Sequence, residues 1–262
     1  MSRPASQHLM KLIQSPQFAW FIGHVMTLVG SAMYLLSAIT FHASTGAYRT
    51  ALFGSFVSYG VIIYRKYFNL DPNVPKLNWN RMAMDENVHY FALALYWFFS
   101  SPLLVALVPY ITFSALHTLG YIRMEVIPTL FPAEIKVAGS WQSKARAAIE
   151  RWTLKANYTA AMQMVARVEV VGIMGRLLLG LFTLHIMPIF VYAQFLRFRY
   201  FLSDNTKQAF TELRMNLDRL LLPPTAHKDI PVVVTNIYKT LKDLITHYGA
   251  VRPQMHTPEQ SE

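Results

Sequence analysis

Few residues in this chain could do chemistry, and their spacing argues against most catalysis. Nine histidines are present. No two of them stand four apart on a helix beside a glutamate, the arrangement a zinc hydrolase needs to hold its metal and activate water. His24, His89, His117 and His185 lie in or beside apolar blocks and read as helix-packing or interfacial residues. Cysteine is absent, which removes disulfides, thiolate nucleophiles and cysteine–zinc sites. Nor is there a G-x-S-x-G nucleophile turn, a Walker loop or a G-x-G-x-x-G turn. An enzyme is not expected, and neither is a cofactor or a metal.

The residues that remain to be explained sit in VEVVGIMGRLLLGLFTLHIMPIFVY, residues 168–192, an apolar run whose only acid is Glu169 and only guanidinium Arg176. On a regular helix Glu169, Gly172, Arg176 and Gly180 follow one another at steps of three, four and four, which places them on one stripe. Such a stripe avoids lipid. Either Arg176 pairs with Glu169 or with a backbone carbonyl inside the protein's own bundle, or the stripe offers a polar contact line to a partner helix. An ion-coupled transporter would carry several ionisable groups near the membrane midplane, and here there is one acid.

The elements that must position these residues follow from composition. Of 262 residues, 53% are hydrophobic and 15% charged, against about 25% charged in soluble domains; the mean hydropathy is +0.27. The expected fold class is all-α: a polytopic membrane protein of short transmembrane or re-entrant helical hairpins, with interfacial and C-terminal amphipathic helices. The net charge of +10 points to an anionic partner, namely lipid headgroups or an acidic protein. Nucleic acid is not expected, because the basic residues are scattered and no nucleic-acid-binding motif accompanies them.

Residues 1–17 form an N-terminal cytosolic segment and 18–64 a first membrane hairpin. Its first leg spans residues 18–41 and its second 50–64, joined by the link HASTGAYR. Gly23, Thr27, Gly30 and Ser31 share a small-residue side that Gly54 and Ser58 match. A polar loop at 65–87 holds Pro72 and Pro75. Residues 88–122 make a second hairpin broken at Ser100-Ser101-Pro102, because an unbroken helix of that length would exceed a bilayer core of roughly 30 Å. A second loop at 123–167 contains an interfacial helix with Trp141, Ala145, Ala148, Ile149, Trp152 and Ala156 on one face; the same pattern also suits an ordinary helix covering the bundle.

Residues 168–196 form a third membrane segment, crossing once or turning back near 184–188. A single crossing would put the basic tail opposite the other basic loops, which disfavours it. A turn lets Arg176 reach headgroups by snorkelling. Both termini and the 65–87 and 123–167 loops are placed in the cytosol by their excess of Lys and Arg. Residues 197–249 carry two cytosolic amphipathic helices. Phe210, Leu213, Leu217, Leu220 and Leu221 line the first, which Pro223-Pro224 ends. The second runs over 231–248 and is lined by Val234, Ile237, Leu241, Leu244, Ile245 and Tyr248, with Gly249 just beyond it. With Trp141 and Trp152 these are the candidate membrane-binding residues. Residues 250–262 read as a disordered tail.

Two stretches carry a further signal: HYFALALYWFFSSPLLVALVPYITFSALHTLGY at 89–121, and FVYAQFLRFRYFLSDNTKQAFTELRMNLDRLLLPP at 190–224, above all RFRY at 197–200 and FTELR at 210–214. In these stretches, and in block order over 18–224, the chain resembles the eukaryotic transmembrane protein 33 family, whose fungal members are endoplasmic-reticulum and pore-membrane proteins. The resemblance implies a multi-pass protein of the endoplasmic reticulum and nuclear envelope that shapes high-curvature tubules beside reticulon-type proteins. It also implies a link to nuclear pore complex assembly and distribution, with pore-membrane nucleoporins as partners. Self-association into a homo-oligomer stays open, and no active-site residue is carried over. The competing readings are an adaptor that binds other membrane proteins without bending the bilayer, and a lipid transporter or scramblase.

Overall fold

A computed structural model describes residues 10, 13–68, 78–132, 137, 139–184, 186–226 and 230–250, and every regular element among them is helical. The chain divides into two compact units, residues 1–169 and 170–262.

In the first unit, α1 (Pro16–Ile39) begins where Ser15 accepts the Phe18 N–H and Pro16 pre-sets the first turn. It ends at Thr40, with Phe41 left-handed at φ 60°. The second leg, α2 (Thr45–Ile63), starts earlier than the sequence reading placed it. Ser44 caps it by accepting the Ala47 N–H at 3.2 Å, so STGAYR belongs to the helix and its start and not to a long link. Because small residues face each other, the backbones of α1 and α2 approach closely. Thr27 and Ser55 hydroxyls meet at 3.0 Å, and Ser58 donates to the Trp20 carbonyl at 3.0 Å. Gly23, Thr27, Gly30, Ser31, Gly54 and Ser58 are all buried there.

A π turn (Tyr64–Phe68) extends α2, and a short α3 (Trp79–Ala83) leads to α4 (Glu86–Phe99). Pro72, Pro75 and Lys76 lie outside the described residues. The break at 100–103 falls where Ser100-Ser101-Pro102 predicts it. Beyond it, a helix runs from Leu104 to Leu130, here α5. It continues past residue 122, where the sequence reading turned polar, because a π turn (Ile122–Val126) carries Arg123 and Glu125 without ending the helix. The legs α4 and α5 flank the first hairpin: α4 packs mainly on α2 and α5 on α1. They meet each other through the Tyr110 hydroxyl, which donates to the Tyr90 carbonyl at 3.0 Å. Tyr48, Leu52, Trp97, Leu107 and Tyr110 are the largest fully buried apolar side chains of this core. α6 (Trp141–Trp152) and α7 (Lys155–Arg167) complete the unit.

Two of these helices are long and apolar enough to cross a membrane, α1 with 24 residues and α5 with 27. By contrast α4, with 14 residues, reaches about 21 Å, short of a bilayer core of roughly 30 Å.

The π turn Val168–Ile173 straddles the boundary and opens into the second unit. There α8 (Met174–Leu178) and a 3-10 stretch (Leu179–Thr183) end at Leu184, left-handed at φ 58°. With Pro188 in its first turn, α9 (Met187–Leu202) then packs back on α8, so the chain reverses after Leu184. α10 (Asp204–Leu221) and α11 (Val232–Ala250) follow. α11 runs through Gly249, which the sequence reading placed beyond the helix. Residues 251–262, read as a disordered tail, lie outside the described residues.

Candidate functional site

The tail helices form by local rules and meet through polar groups. Ser203 caps α10 by accepting the Thr206 N–H, and Thr206 and Ala209 are buried. Of the predicted stripe, Phe210, Leu213, Leu217 and Leu221 are half-buried, whereas Leu220 is exposed. The Phe210 ring packs edge-on against Tyr200 of α9.

One side of α11 is clasped to α10. Lys242 reaches both Asp218 oxygens at 2.8 and 2.9 Å, Tyr238 donates to Asp218 at 2.6 Å, and Thr235 donates to the Leu221 carbonyl at 3.1 Å. Lys242 and Tyr238 hold the Asp218 carboxyl below the usual carboxylate range. Burial and the Asp218 bond push the Tyr238 phenol up to about 12. With the polar side so engaged, the apolar side stays open: Val233, Val234, Ile237, Leu241, Leu244 and Ile245 are 42–66% exposed. Such a face calls for an apolar surface to cover it.

The second apolar surface is on α6, and the structure divides the predicted face. Gln142 is buried, and Ala145 and Ile149 are half-buried, so these turn inward; Trp141 and Trp152 are 63% and 73% exposed. Thr153 ends the helix, so Ala156 belongs to α7. Lys144, Arg146, Arg151 and Lys155 are exposed alongside the two indoles. Arg123, placed by its π turn, pairs with Glu150 at 3.4 Å and ties α6 to the end of α5. The helix therefore covers the bundle with one side and presents tryptophan and cations on the other.

The predicted stripe on 169–180 does not form as one face. Glu169 is fully buried and accepts from the Tyr90 hydroxyl at 2.5 Å, Gly172 and Gly180 are half-buried, and Arg176 is exposed. The reason is the π turn Val168–Ile173. Bonding five residues apart turns each residue through less than the regular step, so spacing that aligns residues on an α-helix does not align them here.

The family model for Transmembrane protein 33/Nucleoporin POM33 matches residues 3–251. The chain belongs to that family. It is 30% identical over 259 residues to Tetra-spanning protein 1 of Schizosaccharomyces pombe, covering 95% of this chain and 89% of that protein. Nucleoporin POM33 of Chaetomium thermophilum is 32% identical over 247 residues, 86% and 85% of the two chains. The pore membrane protein of 33 kDa of Saccharomyces cerevisiae is 28% identical over 250 residues, 90% and 84%. No solved structure matches. This member of the Transmembrane protein 33/Nucleoporin POM33 family is thus an all-helical membrane protein.

Sequence reasoning missed one polar centre of this family member. Asp85 caps α4 by accepting the Asn87 N–H at 2.8 Å, and it also accepts from Asn87 Nδ2, from the Tyr67 hydroxyl at 2.8 Å and from Lys66 Nζ. Burial pushes its carboxyl up, but Lys66, the Asn87 N–H and Tyr67 outweigh that and hold it below its ordinary value. The signal was present: an aspartate just before an apolar helical run is an N-cap. Its partners Lys66 and Tyr67 were not legible, since they arrive through a π turn.

Proposed function

We propose that the chain is a non-enzymatic membrane protein of the endoplasmic reticulum and nuclear envelope that stabilises strongly curved membrane and supports nuclear pore complex assembly and distribution. The observation that carries this is the open apolar face of α11, with Lys239 exposed on the same helix, tethered to a unit with two helices able to cross a membrane. A face of this kind inserts shallowly into one leaflet and widens it relative to the other. Trp141 and Trp152 on α6, with Lys144 and Arg151, add a second shallow contact. Short legs such as α4, and the turn at Leu184, extend the asymmetry by filling one leaflet more than the other. The names of relatives support the location: a pore membrane protein, and a pore and endoplasmic reticulum protein.

In this reading both termini and the 65–87 and 123–167 loops are cytosolic, which puts α6, α10 and α11 on the anionic face of the bilayer. Partners are anionic headgroups, reticulon-type proteins and pore-membrane nucleoporins.

Arg176 favours a second reading, an adaptor. It is exposed on α8 amid exposed Leu178, Leu179, Leu181 and Phe182, a surface that a partner helix bearing a carboxylate would match. Full-length protein in giant vesicles with pulled tethers separates the two. The shaping reading expects enrichment in the tether over the vesicle body without other proteins. Equal density in both sinks it and leaves the adaptor.

A further inference from the structure

The helices of the first unit's bundle differ in length from side to side. On α2, the fifteen residues 50–64 between Arg49 and Arg65 include no Asp, Glu, Lys or Arg, a stretch of about 22 Å. Beside it α4 has 14 residues, about 21 Å. The other pair is longer: α1 has 24 residues, about 36 Å, and the part of α5 without Asp, Glu, Lys or Arg, residues 104–122, covers about 28 Å. Because α4 packs mainly on α2 and α5 on α1, the short helices adjoin each other and so do the long ones. We propose that the α2–α4 side of the bundle binds short-chain lipid, in a bilayer whose core thins locally to about 21–22 Å from the roughly 27 Å of an endoplasmic-reticulum membrane.

Both ends of α4 belong in polar surroundings. At the first, Asp85 caps the helix and takes Lys66 from the end of α2, so the two short helices meet at one level there. At the other, the chain leaves helical geometry over residues 100–103, with ψ 170° at Ser100 and ψ 101° at Leu103. Ser101 and Pro102 are exposed. Irregular backbone that faces outward cannot sit in hydrocarbon, where its peptide groups find no partner.

The far end of α2 agrees. Arg49 is exposed, and a lipid-facing guanidinium belongs at the headgroups. An arginine can snorkel and let its helix sink a little, but the break after α4 has no such reach, so α4 sets the thickness. Tilt cannot help, since a tilted helix spans less. The surface between these edges is apolar: Phe53, Leu95 and Phe99 are 46%, 40% and 75% exposed. A thicker bilayer must either swallow Arg49 and the 100–103 break or compress beside them, and short chains compress at the least cost.

The chain has no cysteine, so a bimane on Leu95→Cys reports only the lipid beside α4. A bimane on Val29→Cys, at a site 53% exposed on α1, is the long-side reference. Full-length protein is placed in large vesicles of brominated phosphatidylcholine, which quenches the label, mixed with unbrominated phosphatidylcholine carrying myristoleoyl, oleoyl or erucoyl chains. The lipid that binds better displaces the quencher. At Leu95 myristoleoyl chains should displace it about fivefold more effectively than erucoyl chains, and at Val29 that preference should vanish. Arg49→Leu, which removes the charge at the edge of α2, should weaken the Leu95 preference, and Arg49→Lys should keep it. Equal displacement by all three chains at Leu95, or better displacement by erucoyl, overturns the proposal. So does the same preference at both labels, or a native preference in Arg49→Leu. The two labels are compared without any change at Arg49, so they decide even if that variant folds poorly. Large vesicles are nearly flat, so thickness preference and tether enrichment fail separately.

Discussion

Alanine at Gly54 should destabilise the protein more than its size suggests, because the α1–α2 contact is backbone on backbone. A Cβ there would lie 2.5 Å from the Gly23 carbonyl oxygen, 2.6 Å from the Thr27 nitrogen and 2.8 Å from the Met26 Cβ. Two of these atoms are main chain and cannot rotate away, so relief requires the helices to part by on the order of 1 Å, given optimal separations near 3.5–4.0 Å. Overpacking of that kind costs about 1–3 kcal/mol. The same movement stretches the Thr27–Ser55 and Ser58–Trp20 hydrogen bonds, each now at 3.0 Å, and these contribute about 1 kcal/mol apiece. The expected cost of Gly54→Ala is therefore about 3–5 kcal/mol.

Thermal unfolding of the full-length protein in detergent, followed by circular dichroism, measures this against two references. Gly120→Ala should be neutral or slightly stabilising, because a Cβ there meets nothing within 4 Å and glycine costs about 0.5–1 kcal/mol inside a helix. Adding Gly23→Ala to Gly54→Ala should cost less than the sum of the two, since both press on the same contact. A Gly54→Ala protein that melts with the native one, or a Gly120→Ala protein that loses as much, would refute the close-packed interface.

Replacing Leu241 and Ile245 with Asp removes the burial still available to side chains 49% and 61% exposed, about 1–1.5 kcal/mol each, and adds repulsion from anionic headgroups of about 1 kcal/mol each. A peptide of residues 203–249 should then bind small anionic liposomes about a thousandfold more weakly in a sedimentation assay; unchanged binding would exclude the α11 face. The Asp218 clasp should be intact above the unfolded carboxylate value near 3.9 and fail as pH falls through the lower folded one. On the alkaline side it should hold below the unfolded phenol value of about 10 and fail as pH rises through the Tyr238 value of about 12. Amide-exchange protection of α11 lost already at pH 5 would contradict this. Asp85→Ala removes a cap and an acceptor whose side chain is 4% exposed, which should cost about 2–4 kcal/mol in the melting assay, whereas Asp85→Asn, which keeps an acceptor for the Asn87 N–H, should lose less. Asn157, whose amide donates to the Arg151 and Trp152 carbonyls, should stay unglycosylated in cells despite its Asn-Tyr-Thr sequence; a mobility shift on endoglycosidase treatment would overturn the cytosolic placement of its loop.

What was legible in the sequence had local causes. Ser100-Ser101-Pro102 interrupts one helix and Pro188 begins another, and both follow from single-residue backbone rules. Gly23, Gly30 and Gly54 mark a close helix pair because only glycine lets backbones come so near. The early start of α2 at Ser44 was hidden by Gly46, a residue that reads as a link until its cap is seen. The inward side of α6 was misread because Gln142, and not Trp141, turns to the core.

The remaining misreadings share one physical origin. Each of the three π turns among the described residues falls where an apolar helix meets ionisable residues: Arg65 and Lys66 in the first, Arg123 and Glu125 in the second, Glu169 in the third. Each turns one of them toward a partner on another element, bringing Lys66 to Asp85, Arg123 to Glu150 and Glu169 to Tyr90. A widened turn has no residue signature, because every residue in it stays in the helical region and the hydrophobic pattern merely slips in phase. Reading at regular helical spacing therefore carried Glu169 onto the face of Arg176, and reading Arg123 as the start of a polar loop ended α5 at residue 122. In a membrane bundle the slip has a definite benefit. A charged side chain at the end of an apolar helix gains a polar partner by local rotation, while the helix keeps its length and its backbone hydrogen bonds.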